Sequence, residues 1–244
     1  MRDRFFVEGV YAIGDRVAFA GDDARKLTTV LRKRSGDRVQ VVDSGGAAYA
    51  ATLEVDGREV RATLDERLVR EGMESTLAVT LAQAVPKGQK MDFVVEKATE
   101  LGVRAIVPVR SARVIGHDTS PAKVERWRRL ARSAAQQSGR TQVPVVADVH
   151  DWKALLATFP RYEHVYVPWE LSDPAPLRDV FEPVLRDARE VLVVIGPEGG
   201  FSAEEIDAAR AAGAVPISLG RRILRTETAG LVVIAAALYA VGEV

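Results

Sequence analysis

Two late segments carry residue types from which a reactive site could be built. The first is Val191 to Glu205, VLVVIGPEGGFSAEE. Its five leading apolar residues suit a buried strand and Gly196, Pro197, Gly199 and Gly200 suit a loop, while Ser202 and Glu205 have capping-box spacing for a following helix. Strand, glycine loop, helix is how an α/β sheet forms a ligand crevice at its carboxyl edge. The spacing is that of neither a dinucleotide nor a P-loop motif, which speaks against NAD and ATP. A plain tight turn would use the same glycines, and the pattern alone leaves both readings open.

The second segment is Ile217 to Ala229, ISLGRRILRTETA. A strand is expected to end at Leu219, Gly220 permits a turn, and Thr226 is the expected N-cap of the apolar helix through LVVIAAALYAV. Arg225 stands just before that helix, where the helix dipole favours acidic groups. It either faces a ligand or forms an exposed pair with Glu227 worth at most about 1 kcal/mol. His117, His150 and His164 lack ligand spacing, so no metal is expected; no GxSxG or HExxH supports hydrolysis.

Charge points to a third region. The 244 residues hold 34 basic and 34 acidic side chains, but residues 73–142 carry 12 basic against 6 acidic. Lys87, Lys90, Lys97, Arg110 and Arg113 lead into KVERWRRLARSAAQQSGR, and Arg128 and Arg132 share one helical side. Such a run suits a polyanion surface or an ordinary solvated helix face.

These residues need elements to position them. The first 70 residues read as short strands, RFFV, RVAF, RVQVVD, AAYAATLEV and EVRATL, with one helix expected over Ala24 to Lys33. That is a small β-barrel or sandwich, and the change of pattern near Arg70 to Ser75 divides the chain into 1–72 and 73–244. Beyond it, LAVTLAQAV, AIVPV, HVYV, VLVVI and VPISL alternate with helical periods, as in an α/β fold with a largely parallel sheet. The composition, 47% hydrophobic and 28% charged, is that of a globular protein. The absence of cysteine excludes disulfides and thiolate metal sites. A charged N-terminus and no apolar run of about 18 residues lead us to expect a cytoplasmic protein without a membrane partner.

IGPEGGFSAEE followed by LGRRILRTETA resembles the paired signature of the SPOUT methyltransferases. With RFFV, VLRKRSGD, KGQKMDFVVEKATELGV, ERWRRL and QQSGR, the whole chain is similar to the RsmE family of small-subunit (16S) ribosomal RNA uridine N3-methyltransferases. The resemblance implies a PUA-like β-barrel over 1–72, a trefoil-knotted α/β domain over 73–244, a homodimer, and S-adenosylmethionine as cofactor. It implies cofactor loops at Ile195, Gly196, Pro197, Glu198 and Gly200 and at Leu219, Gly220, Ile223 and Leu224, with Pro168, Glu170 and Thr228 nearby. Arg225 would be catalytic and would stabilise charge on the uracil oxygens, with Glu227 or solvent as proton acceptor. RNA would meet Arg2, Arg4, Arg32, Lys33, Arg34, Lys87, Lys90, Lys97, Arg128, Arg132 and Arg140. Lys26, Ala112 and Gln136 depart from the family pattern of His, Glu and Glu, and all three departures bear on the RNA side. Two other readings stay open: a SPOUT enzyme with another RNA target, and a non-catalytic RNA-binding assembly factor.

Overall fold

The chain folds into two units in the computed structural model, which describes residues 3–57, 59–68, 74–111, 119–169, 175–182 and 184–244. The first unit runs to Glu74 and also takes in Ala135–Gln142; the second comprises Ser75–Ala134 and Val143–Val244.

In the first unit, β1 (Arg4–Phe6), β2 (Arg16–Phe19), β3 (Arg38–Val42), β4 (Ala48–Asp56) and β5 (Glu59–Leu68) form one sheet in the order β1-β3-β4-β5-β2. Only β1 and β3 pair in parallel. Strand β2 alternates exposed and buried residues, so Val17 and Phe19 join Phe5, Val41, Leu53 and Leu64 in a core that covers one face. The segment Ala24 to Lys33 is not one α-helix. Helix α1 (Gly21–Arg25) passes into a π-helical turn over Lys26–Val30, where the Leu31 N–H reaches back to the Lys26 carbonyl at 2.8 Å. The wider turn accompanies complete burial of Leu27.

Residues 135–142 are tied to this unit by polar groups. The Arg4 guanidinium donates to Gln40 Oε1 at 2.9 Å, to the Arg140 carbonyl at 2.6 Å and to the Gly139 carbonyl. Arg140 pairs with Glu74 at 2.6 Å. Arg4 and Arg140 are buried, so the expectation that they contact phosphate is corrected: their charge is taken up by internal partners that a buried guanidinium requires. Lys26 Nζ donates to Gln136 Oε1 at 2.8 Å, and the Gln136 amide donates to Asp23 at 3.2 Å. Two of the three departures from the family pattern are thus one contact inside this unit; Ala112 lies outside the described residues.

The second unit contains β6 (Ala78–Ala84), α2 (Lys90–Leu101), β7 (Ala105–Arg110), α3 (Pro121–Ser138, up to Ala134), β8 (Val145–Val146), β9 (His150–Asp151) and α4 (Trp152–Leu156). There follow β10 (His164–Pro168), β11 (Ala175–Pro176), α5 (Leu177–Phe181), β12 (Glu190–Ile195), α6 (Ala203–Ala211), β13 (Val215–Ser218) and α7 (Thr226–Ala240). The strands form a parallel sheet in the order β11-β13-β10-β12-β6-β7-β8, with β9 beside β7, so the α/β expectation holds. Central β12 explains the unbroken apolar run. Val191, Val193 and Ile195 enter the core with α2 and α7, whereas Leu192 and Val194 enter the opposite core with α4 and α6. A strand covered on both faces has no polar side to encode. Each such side chain contributes about 1.5–3 kcal/mol by burial.

Candidate active site

The carboxyl ends of β10, β12 and β13 open into a common cavity of about 760 Å³. Pro168 and Trp169 enter from β10, Ile195 to Glu198, Gly200 and Phe201 from β12, and Ser218 to Arg225 from β13. Parallel strands leave a crevice at this edge because the connecting loops diverge to opposite faces of the sheet.

Local chemistry explains the loop shapes. At Gly200 φ is +65°, and its N–H closes a turn onto the Pro197 carbonyl at 2.9 Å. A Cβ added at Gly196 would stand 3.1 Å from the Phe201 ring, which glycine avoids. Ser202 and Glu205 complete the capping box: the Glu205 N–H donates to Ser202 Oγ at 3.2 Å and the Ser202 N–H donates to Glu205 Oε2 at 2.9 Å.

A buried chain of donors fastens the two late loops together. Thr226 Oγ1 donates to the Gly196 carbonyl at 2.5 Å and accepts from Gln83 Nε2 at 2.9 Å, while Gln83 also donates to the Ala84 carbonyl at 3.1 Å. Thr226 is therefore not the N-cap. Arg225 holds that position with extended backbone, and Thr226 is the first helical residue because its hydroxyl is engaged across the crevice. Gly230 lets α7 approach the sheet: a Cβ there would meet Leu81 at 3.2 Å and both Gln83 and Ile195 at 3.4 Å. Gln83 was missed by the sequence reading. Its signal was a lone amide inside LAVTLAQAV.

Charge is unevenly distributed at the cavity. Lys90 Nζ lies 3.4 Å from both Glu198 and Glu227. Burial raises the Glu198 carboxyl, but its own N–H, the Lys87 N–H and the Lys90 ammonium outweigh that and hold it below its ordinary range. Arg221, Arg222 and Arg225 line the cavity, are exposed, and have no acidic partner within ion-pair distance among the described residues.

Of the sequence-derived site residues, Pro168, Ile195, Gly196, Pro197, Glu198, Gly200, Leu219, Gly220, Ile223, Leu224 and Arg225 line the cavity. Glu227 and Thr228 do not, and Glu170 lies outside the described residues. The RNA candidates are scattered. Arg2 and Arg113 lie outside the described residues; Arg32, Arg34 and Lys87 are exposed; Lys33 pairs with Asp3 at 2.9 Å. Lys97 pairs with Glu96 at 2.7 Å and Glu100 at 2.8 Å, and Arg128 pairs with Glu125 and, at 2.9 Å, with Asp148. Arg132 is half-buried. No group of His, Asp and Glu suited to a metal occurs among the described residues, and no helix there is long and apolar enough to cross a membrane.

The chain matches the RNA methyltransferase domain family over residues 73–238. Ribosomal RNA small subunit methyltransferase E of Bacillus subtilis is 32% identical over 228 residues, covering 91% of this chain and 89% of that protein. The chain belongs to the ribosomal RNA small subunit methyltransferase E family. The Synechocystis member is 35% identical over 209 residues, with 86% of this chain and 68% of that protein covered. A crystal structure of the Neisseria gonorrhoeae member bound to S-adenosylmethionine superposes with a TM-score of 0.88 at 32% identity, covering 98% of both chains. The cavity of this family member fits a ligand of that kind: the size is right, the walls include Ile195, Leu219 and Leu224, and backbone groups of two glycine-bearing loops border it.

Proposed function

We propose that this protein transfers the methyl group of S-adenosylmethionine to N3 of a uridine in 16S ribosomal RNA, within assembled or nearly assembled small subunits. The observation that carries this reading is that the β10, β12 and β13 loops share one cavity, with Arg225 at its border. When bound, S-adenosylmethionine supplies a methyl carbon already activated by its sulfonium. The backbone of Gly196, Leu219, Ile223 and Leu224 holds adenine and ribose, and Ile195, Leu219 and Leu224 give the apolar walls. Gln83 and Thr226 keep the two loops at fixed separation, which aligns donor and acceptor for in-line displacement.

Arg225 stabilises the negative charge that spreads onto the uracil oxygens as N3 loses its proton. A guanidinium is too basic to accept that proton. Glu227 lies beside Lys90 and off the cavity lining, which favours solvent as the acceptor. The target uridine enters unpaired or extruded from its stack. The first unit is assigned as a PUA-like RNA-binding barrel, with exposed Arg32 and Arg34 as phosphate contacts, and the second as the trefoil-knotted domain of a cytoplasmic homodimer. Dimerisation is supported by the outer face of α7, where the large hydrophobic residues Val232 and Tyr239 are exposed.

Nucleoside analysis of 16S RNA from a deletion strain tests the reaction. Loss of 3-methyluridine, restored by the wild-type chain, is the expected result. Unchanged 3-methyluridine with another methyl mark missing would assign a different RNA target, and failure of the purified protein to bind S-adenosylmethionine in calorimetry would make it a non-catalytic RNA-binding factor.

A further inference from the structure

Among the described residues, the charged side chains lining the cavity are Lys90, Arg221, Arg222 and Arg225 against Glu198. Lys90 is held by Glu198 and Glu227, which leaves the three arginines as the cations of this border that have no acidic partner within ion-pair distance among the described residues. Gly220, at φ +90°, turns the chain out of β13 just before them, and Ile223 between them is 84% exposed. An apolar side chain that open, set between guanidinium groups, is a surface without an internal partner.

The cofactor does not account for this charge. S-adenosylmethionine carries a sulfonium, an ammonium and one carboxylate, a net of about +1 at neutral pH, so a cationic border opposes its entry rather than aiding it. A nucleotide does account for it. A base inserted into the cavity draws the phosphates on its two sides to the border, and guanidinium is the side chain best matched to phosphate.

We infer that Arg221 and Arg222 form a phosphate clamp that grips the RNA backbone on either side of the inserted nucleotide. They are positioning residues for the second substrate and not part of the cofactor site. The inference rests on the proposed RNA substrate but makes a separate demand: two specific cations, outside the basic stretch of residues 104–140, carry a measurable share of RNA binding. Exposed Ile223 gives the flanking nucleotide an apolar contact, which distinguishes an RNA strand from free phosphate.

The test measures binding of a single-stranded 16S RNA fragment across a salt series, without cofactor, for wild type and R221Q/R222Q, with cofactor affinity determined in parallel by calorimetry. Loss of two phosphate contacts should lower the slope of log K against log salt by about 1.4. Affinity at 50 mM salt should fall about tenfold or more, while the cofactor dissociation constant stays level or falls. R129Q, which removes an exposed cation of α3, is the control, and thermal melts check that each variant folds. An unchanged slope, or an equal loss in R129Q, would overturn the clamp. A tenfold weaker cofactor affinity would overturn it too, by assigning the arginines to the cofactor carboxylate. Failure of wild type to bind S-adenosylmethionine would instead overturn the proposed reaction, and the salt slopes would still judge the clamp.

Discussion

The basic stretch of residues 104–140 and the short loop of residues 219–225 are both rich in arginine, yet the fold treats them differently. In the stretch, Arg126 pairs with Asp92 at 2.7 Å, Arg128 bridges Glu125 and Asp148, and Arg140 is buried against Glu74. In the loop, Arg221, Arg222 and Arg225 stand exposed on one cavity without an acidic partner within ion-pair distance among the described residues. Asp92, Asp148 and Glu74 arrive from segments distant in sequence, so a count of like charges along the chain does not measure available charge. What attracts an anion is a cation that the fold leaves unpaired beside a space the anion can enter.

The largest expected effect breaks the comparison at its functional end. Arg225→Ala should lower single-turnover methyl transfer by about 100-fold or more while cofactor affinity stays within about twofold, as for loss of one charge-stabilising donor. Equal losses in both would make Arg225 a cofactor ligand.

Next is the link that holds the loop in place. Thr226→Val removes both the donor to Gly196 and the acceptor for Gln83, leaving buried groups unpaired at a cost of about 1–3 kcal/mol in denaturant unfolding. Cofactor affinity should fall with it, and unchanged affinity would show that the loops keep their separation without the link.

A smaller effect concerns a paired cation. Lys26→Ala and Gln136→Ala should each destabilise the protein, and the double variant should cost less than their sum by about 1 kcal/mol, measured as a double-mutant cycle. Strict additivity would mean that the two departures from the family pattern are independent.

The smallest is expected in the basic stretch. R128Q should change stability by less than about 0.5 kcal/mol and shift the RNA salt slope less than R221Q/R222Q does. A larger shift would return α3 to the RNA surface.

Much of the second unit was legible because its signals are local. The run VLVVI reads as a strand whatever surrounds it, and the Ser202 and Glu205 capping box is complete within four residues. The errors fell where hydrogen-bond register depends on distant partners. Thr226 looked like an N-cap, but its hydroxyl is drawn to Gly196, thirty residues earlier. Ala24 to Lys33 is expected as one helix, yet its middle, Lys26–Val30, widens into a π-turn. The last turn of α3, Ala135 to Ser138, and the residues after it up to Gln142 group with the first unit, held there by Arg4, Lys26 and Glu74.

The sequence by itself determined the alternation of strands and helices, the two glycine-bearing loops and the presence of an arginine before the last helix. Apolar periodicity and backbone permissiveness act over a few residues and can be read there. Tertiary structure alone decided that three loops share one cavity, that Gln83 ties two of them together, and which arginines keep their charge available. Those outcomes depend on distances between residues far apart in the chain, where burial and partner geometry set the energy of each polar group.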